Sequence, residues 1–418
     1  MLSLKIMNIS SLRDLFSAIS AKYLAATDAD PKTSHGHEIG GLSAMRKCWG
    51  KVDDLIDIPA RFVYLGINGD DPIIATSSVS WYDSRKYDEE RGAEWRVYYK
   101  DNDVTRVMGP GDFIILAQMK NGEAFCAIAP AGSSGEKRLR LLFGISDVRE
   151  RGHIEFDGST GSNALDFQSR YILEALGIEY SFDDDGLIDM LSQQFGNDFP
   201  TTRVFSDFSR AYHFQTKRLT LADIGPDMIL LQWYETEEML FRTFEKKLIN
   251  QRLKDSFKTS DDFIVFAKSI MNRRSSRAGF ALENHMEEIL KIKGIRYSRG
   301  ATTENKSKPD FLFPSIEQYR DDRFPLRLLT MLALKSTCKD RWRQALMEAD
   351  RIQEMKHLLT LEPSISENQT NEMKSRNLQL VIPLNLHETY TAPQREWLWS
   401  IQRFLDFLDR RQKEAIIA

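Results

Sequence analysis

The sequence predicts a two-domain α+β protein, in which a small β-barrel or β-sandwich domain precedes an α/β domain with a mixed central sheet. The first observation is length, because 418 residues exceed the usual size of one domain. The second is a series of short β-type runs over 58–145, punctuated by Gly, Pro, Asp and Asn. The third is a second half in which long helical patterns alternate with apolar strands. We therefore predict domains over 1–185 and 201–418, joined by a linker over 186–200.

The first domain is predicted to begin with a helix. Apolar side chains in "SLRDLFSAISAKYL", residues 11–24, recur at a helical spacing and would share one face. A polar loop rich in turn formers follows, "ATDADPKTSHGHEIGG". The strand patterns after it are "ARFVYLGI", "IIATSSVSWY", "EWRVYYK", "DFIILAQM", "AFCAIAP" and "LRLLFGI". Strands this short and this closely spaced are typical of a small barrel or sandwich.

Helical patterns dominate the start of the second domain, over 232–256, 260–272 and 278–293. Strand patterns then appear in "KPDFLFP", "LLTMLALK", "HLLTL" and "NLQLVIPL". A helix is predicted near 340–354, between the second and third of these strands, and a last helix over 394–412. Strands that alternate with helices in this way indicate an α/β core.

Composition is that of an ordinary globular protein, with 42% hydrophobic and 28% charged residues. No apolar run is long enough to span a membrane, and the N-terminus lacks the layout of a signal peptide. The three cysteines are far apart and predict neither disulfides nor a metal site. We therefore expect a cytoplasmic protein that does not contact a membrane.

Local charge is more informative than the net charge of −4. Residues 268–299 hold eight Lys or Arg against three Glu. Salt confines the field of such a cluster to roughly 8–10 Å. A groove that binds phosphates is therefore compatible with a slightly acidic chain.

Two carboxylates and a lysine occur where an α/β fold commonly places functional side chains. Asp310 directly precedes the apolar run of "KPDFLFP", and Lys335 ends the apolar strand "LLTMLALK". Glu348 lies on the helix predicted after that strand. Two carboxylates can hold Mg²⁺, and a lysine beside them can orient a nucleophile or a phosphate oxygen. The pattern suggests metal-assisted phosphodiester hydrolysis; the alternative is a plain strand that ends in a salt bridge.

A charged cluster follows the lysine and surrounds Trp342. Lys339, Asp340, Arg341 and Arg343 would lie at or near a helix N-terminus, an end that disfavours cations. Lys and Arg can read guanine O6 and N7, and an aspartate can accept from cytosine N4. The cluster is either a reader of G·C pairs or an intramolecular ion-pair network around the tryptophan.

These residues resemble the EcoRII-type (type IIE) restriction endonucleases and the related nucleases of CCGG-like sites. The matching segments are "NRRSSRAGFALENHMEEIL", "KPDFLFPS" and "LALKSTCKDRWRQALMEADRI". The resemblance implies a restriction-endonuclease-like PD-(D/E)xK domain that uses Mg²⁺. In that family the second acid moves from the strand to the following helix, which accounts for Ala333 two residues before Lys335. Asp310 and Glu348 then resemble the metal-binding acids, and Lys335 resembles the catalytic lysine.

The same resemblance assigns further residues of the second domain. Lys339, Asp340 and Arg341 look like the C/G-reading residues, with Arg343 supporting a phosphate or the same network. Glu283 is similar to a further acidic residue of the catalytic site, although a helix-surface glutamate explains it as well. The arginines that precede it are expected to face DNA or to be solvated, namely Arg273, Arg274 and Arg277. The family's pocket for the central base does not transfer cleanly, because this chain has Trp233, Tyr234 and Glu238 where an arginine and an aromatic are expected. An aromatic there could stack on an extruded base; the alternative is a core or dimer contact.

The first domain resembles the B3-like DNA-binding pseudobarrel of the same family, which binds a second copy of the site through two arms. "SHGHEIGG" looks like the first arm, with His35 and His37. "YDSRKYDEERGAEWR" looks like the second, with Arg85, Arg91, Glu94, Trp95 and Arg96. A solvated loop of mixed charge is the alternative for the second arm.

The resemblance as a whole implies a homodimer that cuts double-stranded DNA at a short palindromic CC/GG-containing site (CCWGG- or CCNGG-like). A two-fold site matches a two-fold protein, since two strands need two active sites. The first domain would bind an effector copy of the DNA and could block the nuclease cleft until it does. Two alternatives remain open: a non-cleaving DNA-binding regulator, and a repair nuclease that recognises DNA structure.

Overall fold

A computed structural model gives the fold of the chain. It describes residues 15–29, 37–40, 45–46, 49–50, 55–66, 72–88, 90–145, 154–156, 169, 172–173, 176–178, 185–255, 257–338 and 341–417. The chain divides into two compact units, Met1–Ser181 and Phe182–Ala418. Most of the expected linker over 186–200 is a helix, α3 (Asp185–Phe195). Leu187 and Leu191 of this helix join a buried apolar cluster of the second unit, so the segment is part of that unit's core.

The first unit is built on an eight-stranded sheet of order β2-β5-β4-β3-β7-β6-β1-β8. The strands are β1 (Phe16–Tyr23), β2 (Glu38–Gly40), β3 (Ile56–Tyr64), β4 (Ile73–Asp83), β5 (Trp95–Tyr99), β6 (Phe113–Met119), β7 (Ala124–Ala129) and β8 (Ile154–Phe156). All of its strand pairs are antiparallel except β3 with β7. The helices of this unit with both ends described are α1 (Ala26–Ala29) and α2 (Ser134–Leu142).

The helix predicted over 11–24 is wrong for its described part, because Phe16–Tyr23 is a strand. It pairs with β6 along its length and with β8 at Ile19–Ala21. Apolar residues on both faces of a buried strand can mimic helical spacing, and the choice between the two is made by pairing with distant strands. The β-rich texture expected over 58–145 agrees with β3 to β7, but the strand expected for "LRLLFGI", residues 139–145, is wrong, because 139–142 lie in α2.

The second unit combines a mostly helical first part with a five-stranded mixed sheet of order β13-β12-β11-β10-β9. The strands are β9 (Ser298–Arg299), β10 (Phe311–Phe313), β11 (Thr330–Lys335), β12 (Lys356–Thr360) and β13 (Leu378–Val381). β10 is antiparallel to β9 and β11, whereas β11, β12 and β13 are parallel. This mixed sheet agrees with the predicted α/β class.

The helices of the second unit after α3 are α4 (Thr202–Lys217), α5 (Leu221–Lys254), α6 (Ser260–Ile292), α7 (Ile316–Arg320), α8 (Trp342–Leu346), α9 (Glu367–Ser375), α10 (Ala392–Trp397) and α11 (Ile401–Ile417). Two predicted helices merge into α6, which is continuous over 33 residues. The helix predicted near 340–354 is only five residues long, and Glu348 lies in the turn beyond it. The last predicted helix is divided into α10 and α11. In the described part of the chain, no helix has the length and apolarity to cross a membrane.

His357 on β12 gives the second unit a built-in acid sensitivity. Its ring is fully buried and lies 5.0–5.4 Å from the rings of Trp399, Phe404 and Phe407, between centroids. Burial lowers the pKa of His357 to about 3, and the nearby Arg411 charge acts in the same direction. The folded-state pKa is below the unfolded value of about 6.5. The stability that the neutral ring contributes is therefore complete above about pH 6.5 and is lost as the pH falls toward 3.

We predict that His357→Phe flattens the pH dependence of stability between pH 6.5 and 4. The wild-type free energy of unfolding should fall more steeply than that of the variant, by up to about 1.4 kcal/mol for each pH unit. Urea denaturation of both proteins at several pH values measures the difference. Parallel pH profiles would show that His357 does not titrate on unfolding.

Candidate active site

Asp310 and Lys335 meet at one edge of the five-stranded sheet. Asp310 directly precedes β10, and Lys335 is the last residue of β11. Because these strands are antiparallel, with Phe311 opposite Leu332, the start of one lies beside the end of the other. Lys335 Nζ is 3.7 Å from Asp310 Oδ2, and both side chains are largely buried. The backbone N–H of Leu334 donates to the same carboxylate oxygen at 2.6 Å, which fixes its orientation.

Glu348 comes close to this pair from the turn after α8. Burial raises the pKa of its carboxyl to about 7, the Lys335 ammonium opposes that shift, and the Asp310 charge adds to it. Oε2 of Glu348 is buried and has no hydrogen-bond partner in the part of the chain that the structure describes. The main chain of this residue is held from β12, since Lys356 Nζ donates to Glu348 O at 2.5 Å. The three predicted side chains therefore share one electrostatic environment.

Glu283 on α6 belongs to the same cluster. Burial raises the pKa of this carboxyl, as does the charge of Asp310, while Arg299 and Lys335 oppose the shift. Arg299 on β9 binds Glu283 at 2.9 Å and Glu287 at 2.7 Å. Arg299 was missed in the sequence, because only the pairing of β9 with β10, Arg299 opposite Phe311, brings it to the site.

The donor set fits a hard divalent cation. Asp310 and Glu348 present carboxylate oxygens, and one oxygen of Glu348 lacks a partner among the described residues. Within those same residues, no group of three or more His, Cys, Asp or Glu side chains is arranged to hold a metal ion, so the site offers two carboxylates and not a full set of protein ligands. Mg²⁺ is commonly held by one or two carboxylates, with waters and phosphate oxygens filling the other positions.

The charged cluster after β11 is described only in part. Lys339 and Asp340 lie outside the described residues. Arg341 is exposed at the start of α8. Arg343 is half exposed and binds Glu372 at 3.0 Å, with its guanidinium 4.9 Å from the centroid of the Trp342 ring. Trp342 itself is fully buried, so it anchors α8 under this charged surface.

Arg273, Arg274 and Arg277 on α6 have different environments. Arg273 is exposed and lies 5.1 Å from the Phe199 ring centroid. Arg274 binds the buried Glu245 at 2.8 Å.

Arg277 departs from the expected DNA-facing position. It is 6% exposed and ion-paired with Glu238, which also binds Arg242 at 2.6 Å. Arg277 can be buried among the helices because Glu238 compensates its charge there. Trp233 and Tyr234 are also buried.

The charged residues of the expected second arm mostly bind one another. Arg85 binds Glu94 at 2.8 Å, and Arg96 binds Glu94 at 3.2 Å. Arg91 is exposed, 3.8 Å from Asp88. In the described chain the arginines of this segment are thus paired with carboxylates, an arrangement compatible with both a DNA-binding arm and a solvated loop.

Two aromatic side chains of the expected arms pack on the first unit. Trp95 stacks on the buried Trp81, with a centroid separation of 5.3 Å and an interplanar angle of 19°. From the expected first arm, His37 packs edge-on against Tyr99 at 5.2 Å. His35 lies outside the described residues.

Comparison with known proteins finds a family model similar to part of the second unit. Residues 241–405 match a family model described as the EcoRII C terminal. This segment contains Glu283, Asp310, Lys335 and Glu348. Residues 241–405 are therefore similar to the C-terminal part of EcoRII.

The type II restriction enzyme EcoRII of Escherichia coli is 39% identical to the chain over 202 residues. The match covers 48% of this chain and 50% of that enzyme. The chain thus matches about half the length of its curated relative, so the resemblance to EcoRII-type enzymes is confirmed for this part.

Two solved structures of DNA complexes are also similar. Metal-depleted Ecl18kI in complex with uncleaved, modified DNA has 19% sequence identity and a TM-score of 0.42, over 54% of this chain and 83% of that chain. The restriction endonuclease PspGI–substrate DNA complex has 16% identity and a TM-score of 0.42, over 53% of this chain and 95% of that chain.

Proposed function

We propose that the chain is a type II restriction endonuclease that hydrolyses phosphodiester bonds in double-stranded DNA at a short palindromic CC/GG-containing site. The observation that carries the proposal is the cluster of Asp310, Lys335 and Glu348 at the end of β11, within the segment that is similar to the C-terminal part of EcoRII. The curated relative, a type II restriction enzyme, supports it.

The proposed cofactor is Mg²⁺, which when bound would polarise the phosphate and lower the pKa of a bound water. Asp310 and Glu348 would bind it through oxygen atoms. Lys335, 3.7 Å from Asp310, has its ammonium where it can orient the attacking water or stabilise charge that develops on the phosphate. Glu283 is bound by Arg299, interacts electrostatically with Asp310 and Lys335, and would tune the local charge.

Sequence recognition is assigned to the charged cluster after β11. Lys339, Asp340 and Arg341 are proposed to contact the C·G pairs, because Lys and Arg match guanine acceptors and Asp matches the cytosine donor. Arg343 already binds Glu372 and lies over Trp342, so it is proposed to support this reader or a phosphate. A two-fold DNA site would require a homodimer.

The first unit is proposed to be a B3-like domain that binds a second, effector copy of the DNA and restrains cleavage until it does so. Its eight-stranded sheet and the charged segment between β4 and β5 support this role. The paired arginines of that segment, Arg85 and Arg96, would exchange carboxylates for phosphates on binding.

Plasmid DNA of known sequence tests the nuclease function. With Mg²⁺ we expect discrete fragments whose ends all lie at one CC/GG-containing palindrome, and with EDTA we expect none, because the proposed reaction needs the cation. Sequencing of the fragment ends defines the site. Specific binding without fragments at any Mg²⁺ concentration would instead indicate a non-cleaving regulator, and ends without a common sequence would indicate a structure-specific nuclease.

A further inference from the structure

The turn that carries Glu348 is joined to its own helix by a long hydrogen bond, from the Glu348 N–H to Ala345 O at 3.4 Å. α8 ends at Leu346, two residues before Glu348, and a helix of five residues has little intrinsic stability. Ala349, the next residue, has a φ of +52°. That conformation is unfavourable for a residue with a Cβ and persists only where surrounding contacts hold it.

A lysine on the neighbouring strand β12 binds the backbone of this turn. Lys356 is the first residue of β12, and 9% of it is exposed. Its Nζ donates to Leu346 O at 2.7 Å and to Glu348 O at 2.5 Å. These carbonyls lie at the end of α8, where backbone acceptors lack helical partners and a cation is favourable.

The backbone that precedes α8 is also held, by a residue just beyond β12. Glu362 lies two residues beyond the end of this strand and is buried. Its carboxylate accepts a hydrogen bond from the backbone N–H of Cys338, the last described residue before the charged cluster. Lys356 at the start of β12 and Glu362 just beyond its end thus hold the chain at the proposed metal-binding acid and just before the proposed reader.

We infer that Lys356 is a positioning residue that sets the orientation of Glu348 toward the cation site. This inference rests on the proposed nuclease function. The hydrogen bonds of the Lys356 ammonium go to main-chain carbonyls, so it positions Glu348 through the turn; its charge also lowers the pKa of the Glu348 carboxyl. Residues that orient metal ligands in this indirect way typically account for a 10- to 100-fold effect on metal affinity or activity.

The test compares Lys356→Met and Lys356→Arg with wild type in the full-length protein. Mn²⁺ binding is measured by electron paramagnetic resonance, and the Mg²⁺ concentration for half-maximal plasmid cleavage is measured separately. We expect Lys356→Met to weaken Mn²⁺ binding about 10- to 100-fold and to raise the half-maximal Mg²⁺ concentration similarly, with cleavage recovering at high Mg²⁺. Arginine keeps a cation with several donors, so Lys356→Arg should restore most of the affinity.

Two controls separate the possible outcomes. Lys413→Met removes an exposed lysine that binds Asp409 on α11, and its Mn²⁺ affinity should equal that of wild type. Asp310→Ala should abolish the binding; if it does not, the proposed cation site is wrong and the inference falls with it. If Asp310→Ala abolishes binding but Lys356→Met binds Mn²⁺ with wild-type affinity, the positioning role alone is overturned. If Lys356→Met does not fold, Lys356→Gln, which shortens the donor, is measured against the same outcomes.

Discussion

Replacing Lys335 with alanine should reduce Mg²⁺-dependent DNA cleavage by at least about 10²–10³-fold, the effect of removing one preorganised donor from such a site. The Lys335 ammonium lies 3.7 Å from the Asp310 carboxylate and is the described cation nearest to that oxygen. Without it, charge that develops on the phosphate loses its stabilising partner. Specific DNA binding should change little, because the proposed readers lie beyond Cys338. Single-turnover cleavage and fluorescence anisotropy of a labelled duplex measure the two effects separately.

The matched control is Lys413→Ala, which removes a lysine of the same charge from an exposed ion pair on α11. It should cleave at the wild-type rate, since exposed pairs of this kind contribute about 0–1 kcal/mol to stability. Wild-type cleavage by Lys335→Ala would remove this lysine from the mechanism. If Lys335→Ala loses both DNA binding and folding, Lys335→Met is measured in its place, because methionine keeps the length and apolar stem of the side chain.

Replacing Asp227 with alanine should lower the free energy of unfolding of the second unit by about 3–5 kcal/mol. Asp227 is 8% exposed on α5. Its carboxylate accepts from the backbone N–H groups of Leu384 at 2.9 Å, Ile401 at 2.8 Å and Gln402 at 3.1 Å. Two of these donors begin α11, where helical N–H groups have no partner of their own and an anion is favoured. The Asp227 side chain thus connects α5 to the start of α11.

Urea denaturation of the variant, followed by tryptophan fluorescence, measures the loss. Asp406→Ala serves as the control, because Asp406 is exposed on α11 and its carboxylate accepts a hydrogen bond from the Gln402 side chain. That variant should lose less than about 1 kcal/mol. A loss of similar size in both variants would mean that the three buried hydrogen bonds of Asp227 do not stabilise the fold specifically.

The core of the candidate site could be anticipated from the sequence for a physical reason. Asp310 precedes one apolar strand and Lys335 ends the next, and two adjacent strands of opposite direction must bring such residues together. The position of Glu348 was harder to predict from the sequence. Its helix was expected to run to about residue 354, but α8 ends at Leu346, because Lys356 binds the carbonyls there instead of leaving them for further helical turns.

The remaining features depend on contacts between distant segments. Arg299 reaches Glu283 only because β9 pairs with β10, and its sequence neighbours give no sign of this. Arg277 looks like a surface cation within a basic stretch, but Glu238 on α5 compensates its charge in the interior. Likewise, the spacing of apolar residues in Phe16–Tyr23 fits a helix, and partners about a hundred residues later in the chain make it a strand. Local patterns carry little information about such partners.

The account depends on one divalent cation being shared by the carboxylates of Asp310 and Glu348 beside the ammonium of Lys335. A crystal structure of the full-length protein with Mn²⁺ and a duplex carrying its target site measures this directly. We predict a single anomalous peak at the end of β11, within about 2.0–2.3 Å of an oxygen of each carboxylate. A peak bound by only one of the two, or carboxylates that point to separate regions of solvent, would contradict it.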